Sequence, residues 1–410
     1  MSMNIVVVGG GQAGAWVARS VREAGFAGKV TLLGDEFHLP YERPPLSKAG
    51  LRGTGAAYTP VFAPEDYKEL NIRVELGKRV TAIERATRQV VCADGSRYPY
   101  DRLALATGGR PRRPVFPGND LEGVLTLRNL EDAAAIAARM NEGGHALIVG
   151  GGWIGLEVAA AARQRAMSVT LLEFAERLCA RSLPPFMSDY LLRAHFERGV
   201  QVRTQASLAG VRVVDDERLL ATLAGSGECI EPADVIVLGV GLAPDIELAA
   251  AAGLHVANGI VVDATGATSD PDIFAAGDVA SLPLSWQTDR LRLESWANAQ
   301  NQAIAVGRAM AGDPVHYDDL PWFWSDQYDL NIQMVGLFAS GREQVVRGDP
   351  ATHSFSLFQL EGGRIVAAAS VNAARDLKHA KQLIKKAKVV DIASLADPAI
   401  PLDRLPAVAA

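Results

Sequence analysis

The sequence predicts an α/β fold in which two parallel-sheet domains are followed by a smaller α+β domain. Three observations carry that expectation. Gly9-Gly10-Gly11-Gln12-Ala13-Gly14 and Gly150-Gly151-Gly152-Trp153-Ile154-Gly155 share the spacing G-x-G-x-x-G, 141 residues apart from Gly9 to Gly150. Each follows an apolar run, Ile5-Val6-Val7-Val8 or Ala146-Leu147-Ile148-Val149, and each precedes a helical stretch and a second apolar run. From about Trp322 the pattern alternates instead, as in Ile332-Gln333-Met334-Val335 and Phe355-Ser356-Leu357-Phe358, which reads as antiparallel sheet.

In the first unit a helix of about twelve residues puts Trp16, Val17 and Val21 on one face, stops at Gly25, and leads to the strand Lys29-Val30-Thr31-Leu32-Leu33. That spacing of about thirty residues is what a parallel crossover needs. In the second, an alanine-rich helix from Trp153 to Arg165 precedes Ser168-Val169-Thr170-Leu171-Leu172. Between the copies, Leu103-Ala104-Leu105-Ala106 ends in Thr107-Gly108-Gly109, and later Val235-Ile236-Val237-Leu238 ends in Gly239-Val240-Gly241. These glycine-rich ends mark the expected crossings between domains. The expected organisation is therefore two Rossmann-like dinucleotide-binding domains, residues 1–109 with 242–320 and residues 110–241, plus an α+β domain over 321–410. A lysine-rich helix is expected around 375–388, ahead of a Pro/Ala tail.

Bulk properties exclude several classes. The chain has 410 residues, 49% apolar and 21% charged, which suits two or three globular domains. Its net charge of −6 argues against nucleic acid as the main partner. The three cysteines, Cys92, Cys179 and Cys229, form no C-x-x-C, and the seven histidines show no ligand spacing, so no metal site is expected. The N-terminal apolar run is four residues long and falls into glycines, reading as a strand and not a signal peptide. No stretch has the length of a membrane span. The expected location is the cytoplasm.

The two glycine loops specify phosphate binding. The first glycine permits the turn after the strand, the second lets backbone approach a pyrophosphate, and the third lets helix pack on strand. The helix N-terminus then offers unpaired N–H groups to the phosphates. An acid after the following strand accepts hydrogen bonds from ribose hydroxyls: Asp35, with Glu36 beside it, in the first unit, and Glu173 in the second. A carboxylate there repels a 2′-phosphate, so the second nucleotide is expected to be NADH, with Arg177 and Arg181 nearby as the counter-indication.

The segment Thr268-Ser269-Asp270-Pro271-Asp272-Ile273-Phe274-Ala275-Ala276-Gly277-Asp278 resembles the second FAD motif of the glutathione-reductase-like flavoproteins, in which the aspartate binds the ribitol. Ala106-Thr107-Gly108-Gly109 is similar to their A-T-G crossover motif. The resemblance narrows through Tyr41-Glu42-Arg43-Pro44-Pro45-Leu46-Ser47-Lys48, Leu127-Arg128-Asn129-Leu130-Glu131-Asp132, Gly155-Leu156-Glu157, Glu294-Ser295-Trp296-Ala297-Asn298-Ala299 and Pro321-Trp322-Phe323-Trp324-Ser325-Asp326-Gln327. Over about residues 4–400 the chain resembles the FAD-dependent NADH:ferredoxin reductases of bacterial Rieske oxygenase and cytochrome P450 systems.

That resemblance implies FAD contacts at Gly11, Ala13, Gly14, Asp35, Arg43, Lys48, Val80, Ala106, Thr107, Gly108, Arg128, Asp278 and Trp296. It implies nicotinamide-cofactor contacts at Gly152, Ile154, Gly155, Glu157, Glu173 and the Gly239–Gly241 turn. Lys48 and Glu157 suit either a charged pair at the flavin edge or a structural salt bridge. In the first case Lys48 stabilises reduced flavin and Glu157 orients the nicotinamide carboxamide.

Related disulfide reductases place a cysteine pair beside the flavin, and oxygen-reducing relatives place one cysteine. Here Pro44-Pro45-Leu46-Ser47 stands in that region and no cysteine precedes Cys92. The implied acceptor is therefore external, a 2Fe–2S ferredoxin. Lys378, Lys381, Lys385 and Lys388 at steps of three, four and three would share one helix face, open to two readings: a docking face or a solvated one. Trp322 and Trp324 either line the flavin exit or fill a domain seam. A monomer is chemically sufficient. The competing readings on the same fold are an NADH:rubredoxin or monodehydroascorbate type of reductase, and an apoptosis-inducing-factor-like flavoprotein, which would carry a targeting extension.

Overall fold

The computed structural model describes residues 3–53, 57–214 and 218–406. It contains two compact units: residues 1–42, 58–110 and 242–319 form one, and residues 43–57, 111–241 and 320–410 form the other.

The first unit is built on five parallel strands, in the spatial order Ile273–Ala275, Arg102–Leu105, Asn4–Val8, Lys29–Leu33, Ile72–Glu75. The Ile/Val/Leu runs form strands because both sheet faces are covered and β-branched side chains pack well there. The helix Gln12–Glu23 buries Ala13, Val17 and Val21 at steps of four, into a core shared with Val306 and Met310 of the helix Trp296–Ala311. Gly25, at φ +85°, follows the end of the first of these helices.

The second unit repeats the arrangement. Val200–Arg203, Ser168–Leu172, His145–Val149, Val235–Leu238 and Val124–Leu125 form a five-stranded parallel sheet. Registers correspond between the sheets: Val8 pairs with Leu33 and Leu105, as Val149 pairs with Leu172 and Leu238. The same unit contains an antiparallel five-stranded sheet, ordered Trp322–Gln327, Leu330–Gly336, Arg364–Val371, Ser354–Glu361, Glu343–Asp349. Against it packs the helix Ala374–Lys385 through Leu377, Ala380 and Leu383, each worth about 2 kcal/mol if a leucine.

The lysine helix is shorter than the sequence predicts. It ends at Lys385, Lys386 caps it, and Ala387 turns left-handed at φ +47°. Lys388 therefore leaves the face shared by Lys378, Lys381 and Lys385, and its Nζ donates to the Leu405 carbonyl at 2.9 Å. Within the Pro/Ala tail, Leu395, Leu402 and Leu405 are buried in the same core as Leu377 and Leu383. Arg347, almost fully buried, spends its guanidinium on this tail: Nη1 donates to Leu395 O (3.2 Å) and Asp397 O (2.6 Å), Nη2 to Pro398 O (3.3 Å) and Ile400 O (2.9 Å). Nε pairs with Asp376 at 3.2 Å, so all five donors are used.

Candidate active site

Both glycine loops are shaped for backbone approach. A Cβ on Gly14 would lie 1.9 Å from the Gly9 carbonyl oxygen, and one on Gly155 would lie 1.9 Å from that of Gly150. Only glycine fits where the helix meets the turn so closely. Gly11 and Gly152, by contrast, have open space on their Cβ side. They are the N-caps of Gln12–Glu23 and Trp153–Gln164, and neither carries a side-chain cap, whereas Asn129 caps Leu130–Arg139 through the Asp132 N–H. Two helix N-termini thus present orphan N–H groups beside open, side-chain-free loops, which fits two pyrophosphates.

Three residues from the motifs that the sequence singles out, Ala106, Gly277 and Trp296, touch the first loop. Ala106 abuts Gly9, whose Cβ would meet the Ala106 carbonyl oxygen at 2.2 Å. Gly277, at φ +79°, abuts Ala13 in the same way and starts the turn that carries Asp278. Gln12, oriented with its oxygen toward the donors, accepts from Trp16 Nε1 and Trp296 Nε1 at 3.2 Å. Thr107 Oγ1 donates to Asp245 O at 2.8 Å. Asp35 lies exposed two residues beyond its strand, while the adjacent Glu36 accepts from Tyr41 Oη at 2.6 Å. Val80 is buried in the strand Val80–Glu84.

At the second loop, Glu173 is pinned by two backbone donors, Gly151 N–H at 2.6 Å and Ala175 N–H at 2.7 Å. These bonds hold the carboxylate against the loop, with lone pairs left for further donors. Arg177 does not compete with it: its guanidinium donates to Leu183 O, Ser188 Oγ and Ala180 O. Arg181 reaches the Gly241 turn, 3.4 Å from where a Cβ on that glycine would stand. Ile154 is an exposed apolar residue in the first turn of the following helix. Cys179 is wholly buried behind the loop, and burial, with Glu173 and Glu157 adding to it, pushes its thiol far above the ordinary range. A thiol held neutral in this way is no nucleophile.

Lys48 and Glu157 come together. Lys48 follows the 3₁₀ turn Pro44–Ser47 and Glu157 lies on the second turn of Trp153–Gln164, with Nζ to Oε1 at 2.9 Å. Glu157 is 4% exposed, and donors from Lys48, Ser47 and Ser325 reach its carboxylate, two on Oε1 and one on Oε2. Ser47 Oγ donates to Oε2, and Ser325 Oγ donates to Oε1 at 2.6 Å. Arg43 and Arg128 lie in the same unit, where Arg43 Nη1 donates to Arg128 O at 2.9 Å.

The serines, and the buried Gln327 and His195 behind Ser325, match no sequence motif that assigns them a function. The signal for Ser325 and Gln327 was alternation on one strand, which puts them on one face with Phe323. Phe323 packs on Trp153 with ring centroids 5.0 Å apart. Trp322 and Trp324 occupy the other face and stack at 5.2 Å.

Paired glycine loops on paired parallel sheets define a two-nucleotide oxidoreductase. The chain belongs to the pyridine nucleotide-disulphide oxidoreductase family, whose profile matches residues 3–303, and a reductase C-terminal domain matches residues 322–406. FAD and NAD(H) are the cofactors of this class.

Similarity extends over the full length of particular relatives. The chain is 43% identical to the ferredoxin–NAD(+) reductase component of the p-cumate 2,3-dioxygenase system of Pseudomonas putida, covering 97% of both chains. It is 40% identical to putidaredoxin reductase of Pseudomonas putida, covering 99% of this chain and 97% of that one. Among solved structures, the ferredoxin reductase for the CYP199A2 system of Rhodopseudomonas palustris superposes with a TM-score of 0.93 at 36% identity, covering 98% of each chain. The reductase in a covalent putidaredoxin reductase–putidaredoxin complex gives 0.92 at 39% identity, over 98% and 97%.

Proposed function

We propose that this protein is an NADH-dependent ferredoxin reductase, passing electrons from NADH through FAD to a 2Fe–2S ferredoxin that serves a Rieske oxygenase or a P450. The observation that carries the proposal is the wall at Lys48. A part-buried Lys48 paired with the buried Glu157 stands there behind a Pro-Pro-Leu-Ser turn that holds no thiol, so electrons arriving at that wall have no internal disulfide to reduce. Bound FAD supplies the two-electron acceptor that takes hydride from NADH and returns electrons singly.

This chain's own residues do the holding. The orphan N–H groups after Gly11 bind the FAD pyrophosphate, with Ala13, Gly14, Asp35, Arg43, Val80, Ala106, Thr107, Gly108, Arg128, Asp278 and Trp296 as its further contacts. The N–H groups after Gly152, the Gly155 helix start, Ile154 and the Gly241 turn bind NADH, and Glu173 accepts from its ribose. Lys48 places a positive charge where reduction adds a negative one. Glu157 accepts from the nicotinamide carboxamide and fixes its ring. No proton-abstracting base is required for hydride transfer.

The ferredoxin is expected to be acidic, and Lys378 and Lys381, with Lys385 on the same helix face, offer a basic surface to it. The stacked Trp322 and Trp324 are the expected aromatic surface on the way out from the flavin.

An anaerobic titration tests the cofactor assignment. NADH should bleach the flavin near-stoichiometrically and NADPH should not; a preference for NADPH overturns the role of Glu173. Turnover with a 2Fe–2S ferredoxin, compared with rubredoxin and monodehydroascorbate, tests the acceptor.

A further inference from the structure

Behind Glu157 runs a chain of polar side chains that the proposed function does not use. Ser325 Oγ donates to Glu157 Oε1 at 2.6 Å, and Gln327 Nε2 donates to Ser325 Oγ at 3.0 Å. Gln327 Oε1 lies 2.8 Å from His195 Nε2, and Tyr328 Oη lies 3.1 Å from His195 Nδ1. Ser325, Gln327 and His195 have no solvent exposure at all.

Chemistry sets the direction of every bond in this chain. A carboxylate only accepts, so Ser325 must donate to it; the serine oxygen then accepts from the amide nitrogen of Gln327. The remaining amide oxygen of Gln327 can only accept, so His195 carries its proton on Nε2. Nδ1 is then bare and accepts from Tyr328. Four donors in series point toward one carboxylate, and aligned bonds of this kind reinforce one another.

We propose that Tyr328, His195, Gln327 and Ser325 form a one-way donor chain that fixes the Glu157 carboxylate against Lys48, making His195 and Gln327 positioning residues for nicotinamide capture. This role rests on the reading of Lys48–Glu157 as the pair that meets the nicotinamide.

Two physical points favour a positioning chain over the alternatives. It is not a proton path, because a glutamine amide does not hand a proton through. It is also not the cheapest filling, since apolar residues could occupy three fully buried positions without needing partners. What the polar chain adds is one orientation for the carboxylate. The surroundings keep the imidazole neutral: Arg198 lies over the Tyr328 ring at 4.8 Å, paired with Asp329 at 2.6 Å, and among the described residues no carboxylate bonds to His195. Burial first, then Arg198, lowers His195 to about 4.

The test uses the holoenzyme. In protein labelled with 15N-histidine, His195 should show the neutral Nε2–H tautomer at neutral pH; the Nδ1–H tautomer or an imidazolium overturns the chain. Gln327→Met keeps the side-chain length and removes both hydrogen bonds, the one to Ser325 and the one from His195. It should slow flavin reduction at saturating NADH roughly tenfold, the order expected for losing one buried hydrogen bond. FAD content should be unchanged and the flavin midpoint potential should move. His195→Phe should behave alike, while His195→Gln, which restores an N–H donor, should recover most of the rate.

Wild-type reduction by Gln327→Met, in a protein that Glu157→Gln slows, overturns the positioning role and leaves the site reading intact. Wild-type reduction by Glu157→Gln overturns the site reading, and the positioning role with it. Should Gln327→Met not fold, Gln327→Glu decides: its carboxylate accepts from His195 but cannot donate to Ser325, so slow reduction supports the chain and wild-type reduction ends it.

Discussion

Glu173 illustrates how one carboxylate can carry a cofactor preference. Two backbone N–H groups hold it at the second glycine loop, and in the proposed function its charge repels a 2′-phosphate there. Glu173→Ala should raise the KM for NADH about tenfold, equivalent to about 1.4 kcal/mol, with no loss of bound FAD. Steady-state kinetics and the visible spectrum of the purified variant measure both; loss of FAD would place Glu173 elsewhere. His195 gives a prediction in pH. Its value of about 4 lies below the ordinary 6.5, so between those limits the unfolded chain binds the proton more readily than the folded one. The stability it contributes is complete above about pH 6.5, drains away as pH falls toward 4, and is constant below that. The loss is on the order of 3 kcal/mol, and His195→Phe should remove that part of the acid dependence in urea unfolding midpoints between pH 7 and 4.

The glycine loops act as elements, and the two copies should fail separately. Gly14→Ala forces a Cβ onto the Gly9 carbonyl, so the protein should lose FAD while its second unit stays folded. Gly155→Ala forces the same clash at Gly150, and should keep FAD while weakening NADH binding. Absorbance of the purified variants and NADH titration read the two outcomes. Arg347 is the corresponding element of the C-terminal sheet, because four of its donors hold residues 395–400 in place and the fifth pairs with Asp376. Arg347→Met should cost about 3 kcal/mol and lower the thermal midpoint, leaving the NADH-dependent bleaching of the remaining folded protein unchanged.

At the scale of the molecule, electron output depends on a partner, and a protein of net charge −6 meets an acidic ferredoxin only through a local basic surface. Lys378→Glu with Lys381→Glu should raise the KM for ferredoxin and flatten its dependence on ionic strength, with NADH reduction of the flavin unchanged. An unaltered salt dependence would move docking to another face. Among the described residues no helix is long and apolar enough to cross a membrane.

Much of this was legible in the residue order. The doubled loop, the strands beside it and the acids after them are local patterns, because a turn, a helix start and a buried strand each depend on neighbours within a few residues. The end of the lysine helix was not legible. Lys388 continues the spacing of three and four, yet a left-handed Ala387 and a carbonyl from residue 405 take it off the face. The clamp of Arg347 was equally hidden, since its partners lie about fifty positions away.

The sequence by itself thus determined the nucleotide loops and the lack of a thiol before Cys92. The tertiary structure alone decided what surrounds Glu157. Lys48 comes from 109 residues before it and Ser325 from 168 after it. Hydrogen bonding between such distant positions leaves no period in the chain; it exists only once helix, turn and strand have packed.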